Sequence, residues 1–537
     1  MSQAIAEKPR KLSTWRSLVQ AFTSWRTASV SLLSFSSGMP LGLVWIAIPD
    51  WMRDIGVDIR VVGLLTLAQA PWTFKFLWAP LLDRYYPSRL GRRRGWIAIT
   101  QVALFVLGLM LAGVGDHPDT PWVVAALALA IAFAAATQDI VVDAYAVDVL
   151  RPEEQALAVG ARNFIYRIGM TWVAGGAAIT LAGTWGWAAV NVALAVLYLP
   201  MILITLKAPE PQGLPGAPKT LKEAVWHPFL GFLARHRALE ILAFVLCYKI
   251  ADNLVQSLQR PFLNDMGYNE VDRGLALATV GVIGNIVGTF VGGLLTAPLG
   301  LGRALWIFGF FQIFSNAGYA ILAAQDGVNR PLMLAAIGFE QLSSGLGSGA
   351  FSVLLLRMTQ KRFSATQYAL FSSLFGLPRV IAGPIAGYSA YALGWETFFW
   401  WTLPIGIPGM ILLARFVPWH AREPEFRIEP PRVREPLTGT GLFLRGLGGT
   451  VAGTAVAAVL VAFLDALKVM KDTPGAAFDV AAPLATLARP ADTAGIVTAV
   501  GLLTFGLVCG LFTAAVAAAR HGAGQELALD EVRPEMP

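Results

Sequence analysis

Charge is scarce in this chain. Only 14% of its 537 residues are Asp, Glu, Lys or Arg, while 56% are hydrophobic. A soluble chain carries about 25% charged residues, and a mean hydropathy of +0.59 leaves too little polar surface to face water on all sides. Cysteine is nearly absent: Cys247 and Cys509 both fall in apolar runs, which excludes a disulfide scaffold. The five histidines (His117, His227, His236, His420, His521) lie in or beside polar connections, so no intramembrane His-based metal or hydrolase site is available. Apolar runs hold no His–Glu metal pair, Ser/His dyad or Gly-x-Ser-x-Gly elbow, so neither catalysis nor a cofactor or metal is expected. An apolar core followed by a small-residue cleavage site is missing from the N-terminus, and no signal peptide is expected. The net charge of +7 would suit nucleic acid, but the basic residues gather in short connections between apolar runs. The partner implied is a lipid bilayer, and the chain reads as an all-α polytopic membrane protein.

A helix needs about 20 apolar residues to cross roughly 30 Å of hydrocarbon. The sequence then predicts spans over 29–48, 61–81, 95–115, 121–144, 160–182 and 185–206. A second set covers 238–260, 273–297, 303–324, 331–356, 366–391 and 397–416, and two more runs cover 446–467 and 494–518, fourteen in all. Lys8, Arg10, Lys11, Arg16 and Arg26 precede span 1, and Arg84, Arg89, Arg92, Arg93 and Arg94 follow span 2. Lys207, Lys219, Lys222, Arg235 and Arg237 separate spans 6 and 7; Arg357, Lys361 and Arg362 separate spans 10 and 11. The alternate loops are poorer, with Arg53 and Arg60 in the first and Arg273 and Arg330 later. Basic loops mark the cytoplasmic side, so both termini are expected there. Pro209, Pro211, Pro215 and Pro218 mark 207–237 as a linker, of which 222–236 has the pattern of an interfacial helix. The organisation expected is a six-helix bundle (1–206), this linker, a second six-helix bundle (238–416), a polar linker (417–445) and two extra helices with a tail (446–537).

The two six-span sets repeat each other. Asp54-Ile55-Gly56 recurs as Asp265-Met266-Gly267 and Gly63 matches Gly274, at a shift of 211. Gln155 matches Gln367, Arg167 matches Arg379, and Ala174-Gly175 matches Ala386-Gly387, at a shift of 212. A near-constant shift over a repeat of this length points to a duplicated six-helix bundle, the parallel-repeat pattern of major facilitator transporters, with substrate held near the midplane between the halves.

Ionisable residues in mid-membrane cost several kcal/mol and are functional candidates by default, although a paired charge that merely fixes packing is the plainer alternative. The first half offers Lys75, Asp139, Asp143 and Arg167. Asp139 and Asp143 are four apart on one helix face, where two carboxylates do not both ionise easily, as a proton-coupled carrier needs. Static pairing of the two aspartates with Lys75 and Arg167 is equally open. In the second half Lys249, Glu340 and Arg379 each fall about halfway through, at roughly 14–18 Å. Glu340 is the best lone proton-site candidate there, while Lys249 and Asp252, three apart, have the spacing to neutralise each other. Surplus cations around a midplane cavity suit an anionic substrate, since Arg grips a carboxylate with two hydrogen bonds. Gln138, Asn163, Tyr166, Tyr248, Asn253 and Gln256, with Trp72 and Trp78, supply amides and rings that would bond hydroxyls and stack on sugar faces. Gly449–Gly453 and Gly506–Gly510 have the spacing for close helix contact.

Four segments carry a resemblance. They are Phe74-Lys75-Phe76-Leu77-Trp78-Ala79-Pro80-Leu81-Leu82-Asp83-Arg84-Tyr85 with Gly91-Arg92-Arg93-Arg94-Gly95-Trp96, Thr137-Gln138-Asp139-Ile140-Val141-Val142-Asp143-Ala144-Tyr145, Ser37-Gly38-Met39-Pro40-Leu41, and Tyr166-Arg167-Ile168-Gly169-Met170. Over residues 28–416 the chain resembles the AmpG-type muropeptide permeases, in the peptide and acetyl-CoA transporter branch of the major facilitator superfamily. The resemblance implies a bacterial inner-membrane importer that uses the proton gradient to bring in anhydro-muropeptides, which are N-acetylglucosamine–anhydro-N-acetylmuramic acid with or without peptide. It implies roles in wall recycling and in β-lactamase induction where that circuit exists. Asp83, Arg84, Gly91, Arg92 and Arg93 resemble the superfamily's cytoplasmic gating motif, with Tyr85 to Leu90 inserted and Ala79 in place of a glycine. The second half has Gly292, Gly293 and Arg303 near the matching place but no acidic partner. Substrate contacts are expected from Lys75, Gln138, Asn163, Tyr166, Arg167, Tyr248, Lys249, Gln256 and Arg379, and proton coupling from Asp139, Asp143, Asp252 and Glu340. The same residues would suit acetyl-CoA or an anionic siderophore, or a sensor that kept the fold and lost transport.

Overall fold

The computed structural model describes residues 24–529 apart from 58–65, 88–89, 117–120, 212–215, 326, 425, 427–436, 473–476 and 491–492. Lys8, Arg10, Lys11, Arg16, Arg60, Gly63, Arg89, His117 and Pro215 lie outside the described residues. No strand forms among those described, as expected where lipid offers the backbone no hydrogen bonds and each span must satisfy its own.

The helices in chain order are α1 (Trp25–Asp54), α2 (66–84), α3 (Arg94–Ala112), α4 (Pro121–Val149), α5 (Pro152–Trp185) and α6 (Trp187–Lys207). The linker helix α7 (Leu221–Leu233) precedes α8 (238–265), α9 (Glu270–Leu299), α10 (Leu301–Ala323), α11 (Arg330–Met358), α12 (Ser364–Leu393) and α13 (Trp395–Phe416). The chain ends with α14 (Gly439–Asp472), α15 (Ala481–Ala488), α16 (Thr493–Arg520) and α17 (Gln525–Leu529). Ten helices among the described residues are long and apolar enough to cross a membrane. The described parts of the other four expected spans are largely helical too, and they carry Lys75, Lys249, Glu340 and Arg379.

Two of these four are broken at their charge. Pro71 and Pro80 each remove a backbone donor from α2, which alternates α and 3₁₀ turns with Lys75 opening the second 3₁₀ segment. Helix α8 ends at Cys247 and restarts at Ile250, so Lys249 sits at the break. π-helical stretches interrupt α1 (Leu43–Ala47), α5 (Ile168–Ala177) and α9 (Leu275–Gly281), a geometry common at functional sites.

Small residues set the close crossings. A methyl on Gly345 would meet Thr289 N at 2.8 Å, and one on Gly349 would meet Gly293 N at 2.6 Å, so α9 and α11 pack backbone against backbone. In the same way α14 and α16 interlock: a methyl on Gly449 would meet Gly510 Cα at 3.1 Å. Helix α16 also packs on α7, and the Gln360 side-chain amide donates to the Leu527 carbonyl at 3.3 Å.

Three apolar cores show how the halves meet. At the end bearing the basic loops, one core draws on both halves, from Leu82, Tyr145 and Val159 to Phe244, Phe308 and Phe351. Toward the opposite end there are two separate cores, one around Trp51, Ile131 and Trp187 and the other around Phe262, Tyr319 and Phe399. The halves are therefore fused at the basic end and parted beyond it.

Candidate transport site and gate

In the parting between the halves lies a cavity of about 430 Å³, within the range of small-molecule sites. From the first half Asn163, Tyr166 and Arg167 line it, all on α5 just before its π stretch. From the second half come Lys249, Asp252, Asn253 and Gln256 on α8, Asn285 and Thr289 on α9, Gln341 on α11, and Phe375 and Arg379 on α12. The repeat-related pair Arg167 and Arg379 thus faces one space from opposite sides. Sequence reasoning missed Ser344, Ser348 and Ser352, which stripe the α11 wall at four-residue spacing. The Ser348 and Ser352 hydroxyls donate to carbonyls one turn earlier, at 2.8 and 2.9 Å, leaving their lone pairs toward the cavity.

The remaining expected residues sit around this space. Lys75 pairs with Asp139 and lies 3.5 Å from Asp143, and Asp143 also pairs with Arg162. The partner of the second aspartate is therefore Arg162 rather than Arg167, and the quartet is neutral overall. Arg162 was overlooked because span 5 was expected to begin at residue 160; the helix begins at Pro152, which carries Arg162 about three turns inward. Gln138 points between helices, donating to Ser36 Oγ at 2.6 Å beside Gln101. Tyr248 stacks on Phe351, with ring centroids 5.3 Å apart, and donates to the Leu305 carbonyl at 3.0 Å. Lys249 Nζ donates to Asp252 at 2.9 Å and to the Ser344 carbonyl and hydroxyl at 2.7 and 2.9 Å.

Glu340 stands behind the cavity wall and is 0% exposed. Its carboxylate accepts from Gln256 at 2.9 Å, from Gln259 at 3.0 Å and from the Tyr319 hydroxyl at 3.4 Å. Among the described residues no basic side chain forms an ion pair with it.

A latch of hydrogen bonds joins the two halves at the basic end. Asp83 at the end of α2 accepts from the backbone N–H groups of Ala365 and Thr366, at 3.3 and 2.8 Å, and from the Thr366 hydroxyl at 2.7 Å. These N–H groups open α12, so the carboxylate rests on the positive end of a helix from the other half. Arg93 bonds Asp83 at 2.8 Å, Asp148 at 2.7 Å and Ser364 Oγ at 2.7 Å, and Arg92 Nη2 donates to the Arg362 carbonyl at 2.8 Å. Burial and the adjacent Arg93 lower the Arg92 guanidinium, whereas Asp148 and Asp83 together outweigh burial at Arg93 and raise it. Arg84 makes no bond in this latch and lies 5.1 Å over the Tyr85 ring. Beneath the cavity α5 and α9 touch through Gly160 and Gly293, where a methyl on Gly293 would meet Gly160 N at 2.9 Å.

The sequence profile of the Major Facilitator Superfamily matches residues 30–383. The chain is 41% identical over 397 residues to the anhydromuropeptide permease of Escherichia coli K12, covering 74% of this chain and 80% of that one. The chain belongs to the Major Facilitator Superfamily, among the anhydromuropeptide permeases. A putative transporter, AmpG 4 of Rickettsia felis, is 28% identical over 74% of this chain and 97% of its own. The crystal structure of the human organic anion transporter MFSD10 superposes with a TM-score of 0.51 at 15% identity, over 74% of this chain and 99% of that one, and shares the fold. The protein is accordingly a multi-pass membrane protein of a transporter family, built as the internal repeat foretold.

Proposed function

We propose that this protein imports anhydro-muropeptides across the bacterial inner membrane, driven by the proton gradient, and performs no catalysis. The identity to the Escherichia coli anhydromuropeptide permease carries this reading. The cavity supports it: amides and the serine stripe suit sugar hydroxyls, and Arg167 and Arg379 suit the carboxylates of an anionic glycopeptide. With both termini in the cytoplasm, the basic end is the cytoplasmic face. The latched gate then corresponds to the state loaded from the periplasm. The bundles at 1–206 and 238–416 would rock about the cavity, with the linkers 207–237 and 417–445 and the pair within 446–537 outside the moving core.

Glu340 is the proposed proton carrier. A buried carboxylate without a cation is costly in a membrane, and a proton neutralises it without a partner side chain. Asp139 and Asp143, by contrast, are already balanced by Lys75 and Arg162. The test is uptake of labelled N-acetylglucosamine–anhydro-N-acetylmuramic acid into proteoliposomes, with and without an inward proton gradient. Accumulation only with the gradient is expected. No uptake by folded protein overturns the cargo, and gradient-independent accumulation overturns the coupling.

A further inference from the structure

Gln256 belongs to two environments at once. Its side-chain nitrogen Nε2 donates to Glu340 Oε1 at 2.9 Å and to Ser344 Oγ at 3.0 Å, while the residue lines the cavity. Its carbonyl oxygen makes no hydrogen bond among the described residues. The two Glu340 oxygens differ: Oε2 faces two donors, Gln259 Nε2 and the Tyr319 hydroxyl, whereas Oε1 has Gln256 alone. The other charged groups near this carboxyl are Lys249, at the break of α8, and Asp252, one turn before Gln256, and they are bonded to each other. A proton arriving at Glu340 therefore has one place to sit without displacing two donors, and that is Oε1.

We propose that Gln256 is the positioning residue that couples protonation of Glu340 to cargo binding, by turning its amide over. With Glu340 ionised, the amide nitrogen is held on the carboxylate and Ser344. The carbonyl is then the end left for the cavity, an acceptor that repels anionic cargo. With Glu340 protonated, the new O–H becomes a donor to the Gln256 carbonyl, and the –NH₂ turns into the cavity as a donor for a cargo carboxylate or hydroxyl. Ser344 keeps a donor throughout, since Lys249 Nζ bonds its hydroxyl at 2.9 Å. No covalent bond is made or broken, and the proton moves only on and off Oε1. Gln256 thus gives proton and cargo a reason to travel together, and Lys249, Asp252 and Tyr319 keep their bonds in both states.

This inference rests on Glu340 as the proton carrier, and two variants separate the two ideas. The probe is N-acetylglucosamine–anhydro-N-acetylmuramic acid, its affinity measured between mildly acidic and mildly alkaline pH, and its uptake measured with and without the gradient. In the parent, affinity rises as pH falls. In Glu340→Gln the pH dependence vanishes and the ratio of uptake with and without gradient falls to one. Gln256→Leu, which has no amide to turn, is expected to bind cargo with an affinity independent of pH and to lose the same ratio. Gln256→Asn, too short to bridge Glu340 and Ser344, behaves alike and stands in if the Leu variant does not fold. If the Gln256 variants keep the parent's pH profile while Glu340→Gln loses it, the coupling role of Gln256 is wrong. If they lose binding equally at every pH, Gln256 is a cargo contact only and the proposal fails. Should Glu340→Gln itself keep the profile, the error lies one step earlier, in the proton carrier.

Discussion

Arg162 matters because of what it leaves behind when removed. With its guanidinium gone, Lys75 alone faces the carboxylates of Asp139 and Asp143 in a buried setting. Breaking a buried pair by deleting one partner costs about 3–5 kcal/mol, whereas removing both partners is often nearly neutral. Arg162→Met is therefore expected to lower thermal stability strongly, and Arg162→Met with Asp143→Asn to recover most of the loss, as read by melting of the purified transporter in lipid. Equal melting of parent and single variant would mean that Arg162 is not the neutralising group. Most members of this site were legible as residues, because ionisable side chains stand out against apolar runs. Their partners were less legible. Arg162 hid at an assumed membrane edge. Gln259 and Tyr319 hid because nothing in one helix reveals which groups two other helices bring to it.

At the scale of elements, α5 and α9 meet beneath the cavity with backbone close to backbone. Gly160 and Gly293 meet there without side chains, and an added methyl at Gly293 meets the Ala156 carbonyl at 2.8 Å as well as Gly160 N. Backbone atoms cannot swing aside as side chains do. Gly293→Ala should thus wedge this seam open while sparing each half. The measurement places a cysteine at Asn163 after Cys247 and Cys509 are changed to serine, and labels it with an impermeant maleimide from the basic side. Labelling in the Gly293→Ala background but not in the parent is expected; equal labelling would show that the seam does not seal. Helix existence was readable from apolar length, but the breaks in α2 and α8 were not placed beforehand. Prolines 71 and 80 announce the first of these. The second lies at Tyr248–Lys249, where no proline or glycine marks it.

For the whole molecule, the C-terminal pair touches the transporter at α7 and, through Leu527, at Gln360. Gln360 is in turn bonded to Gln367, whose amide also donates to the Pro228 carbonyl of α7 at 2.9 Å. Deleting residues after 438 should leave cargo affinity within about twofold, less than 0.5 kcal/mol, because no cavity residue belongs to that segment. The melting temperature should drop, since α7 loses its cover. A large loss of affinity would instead tie the pair to the binding site. The duplicated plan was visible in the 211–212 shift of the sequence, whereas this docking was not, because it joins residues more than 150 positions apart through neutral amides and carbonyls.

The latch has one further consequence. Its ion pairs, Asp83 with Arg92 and Arg93 and Arg93 with Asp148, all join groups of the first half. The bonds described from those residues to the second half end on neutral groups: two backbone amides, two hydroxyls and the Arg362 carbonyl. The described bonds that swinging the halves apart would break each set a charged group against a neutral one. Dissolved salt acts most on attraction between opposite ions, and it also screens the helix end on which Asp83 rests. A gate held by bonds of this kind should respond less to ionic strength than one held by ion pairs between the halves.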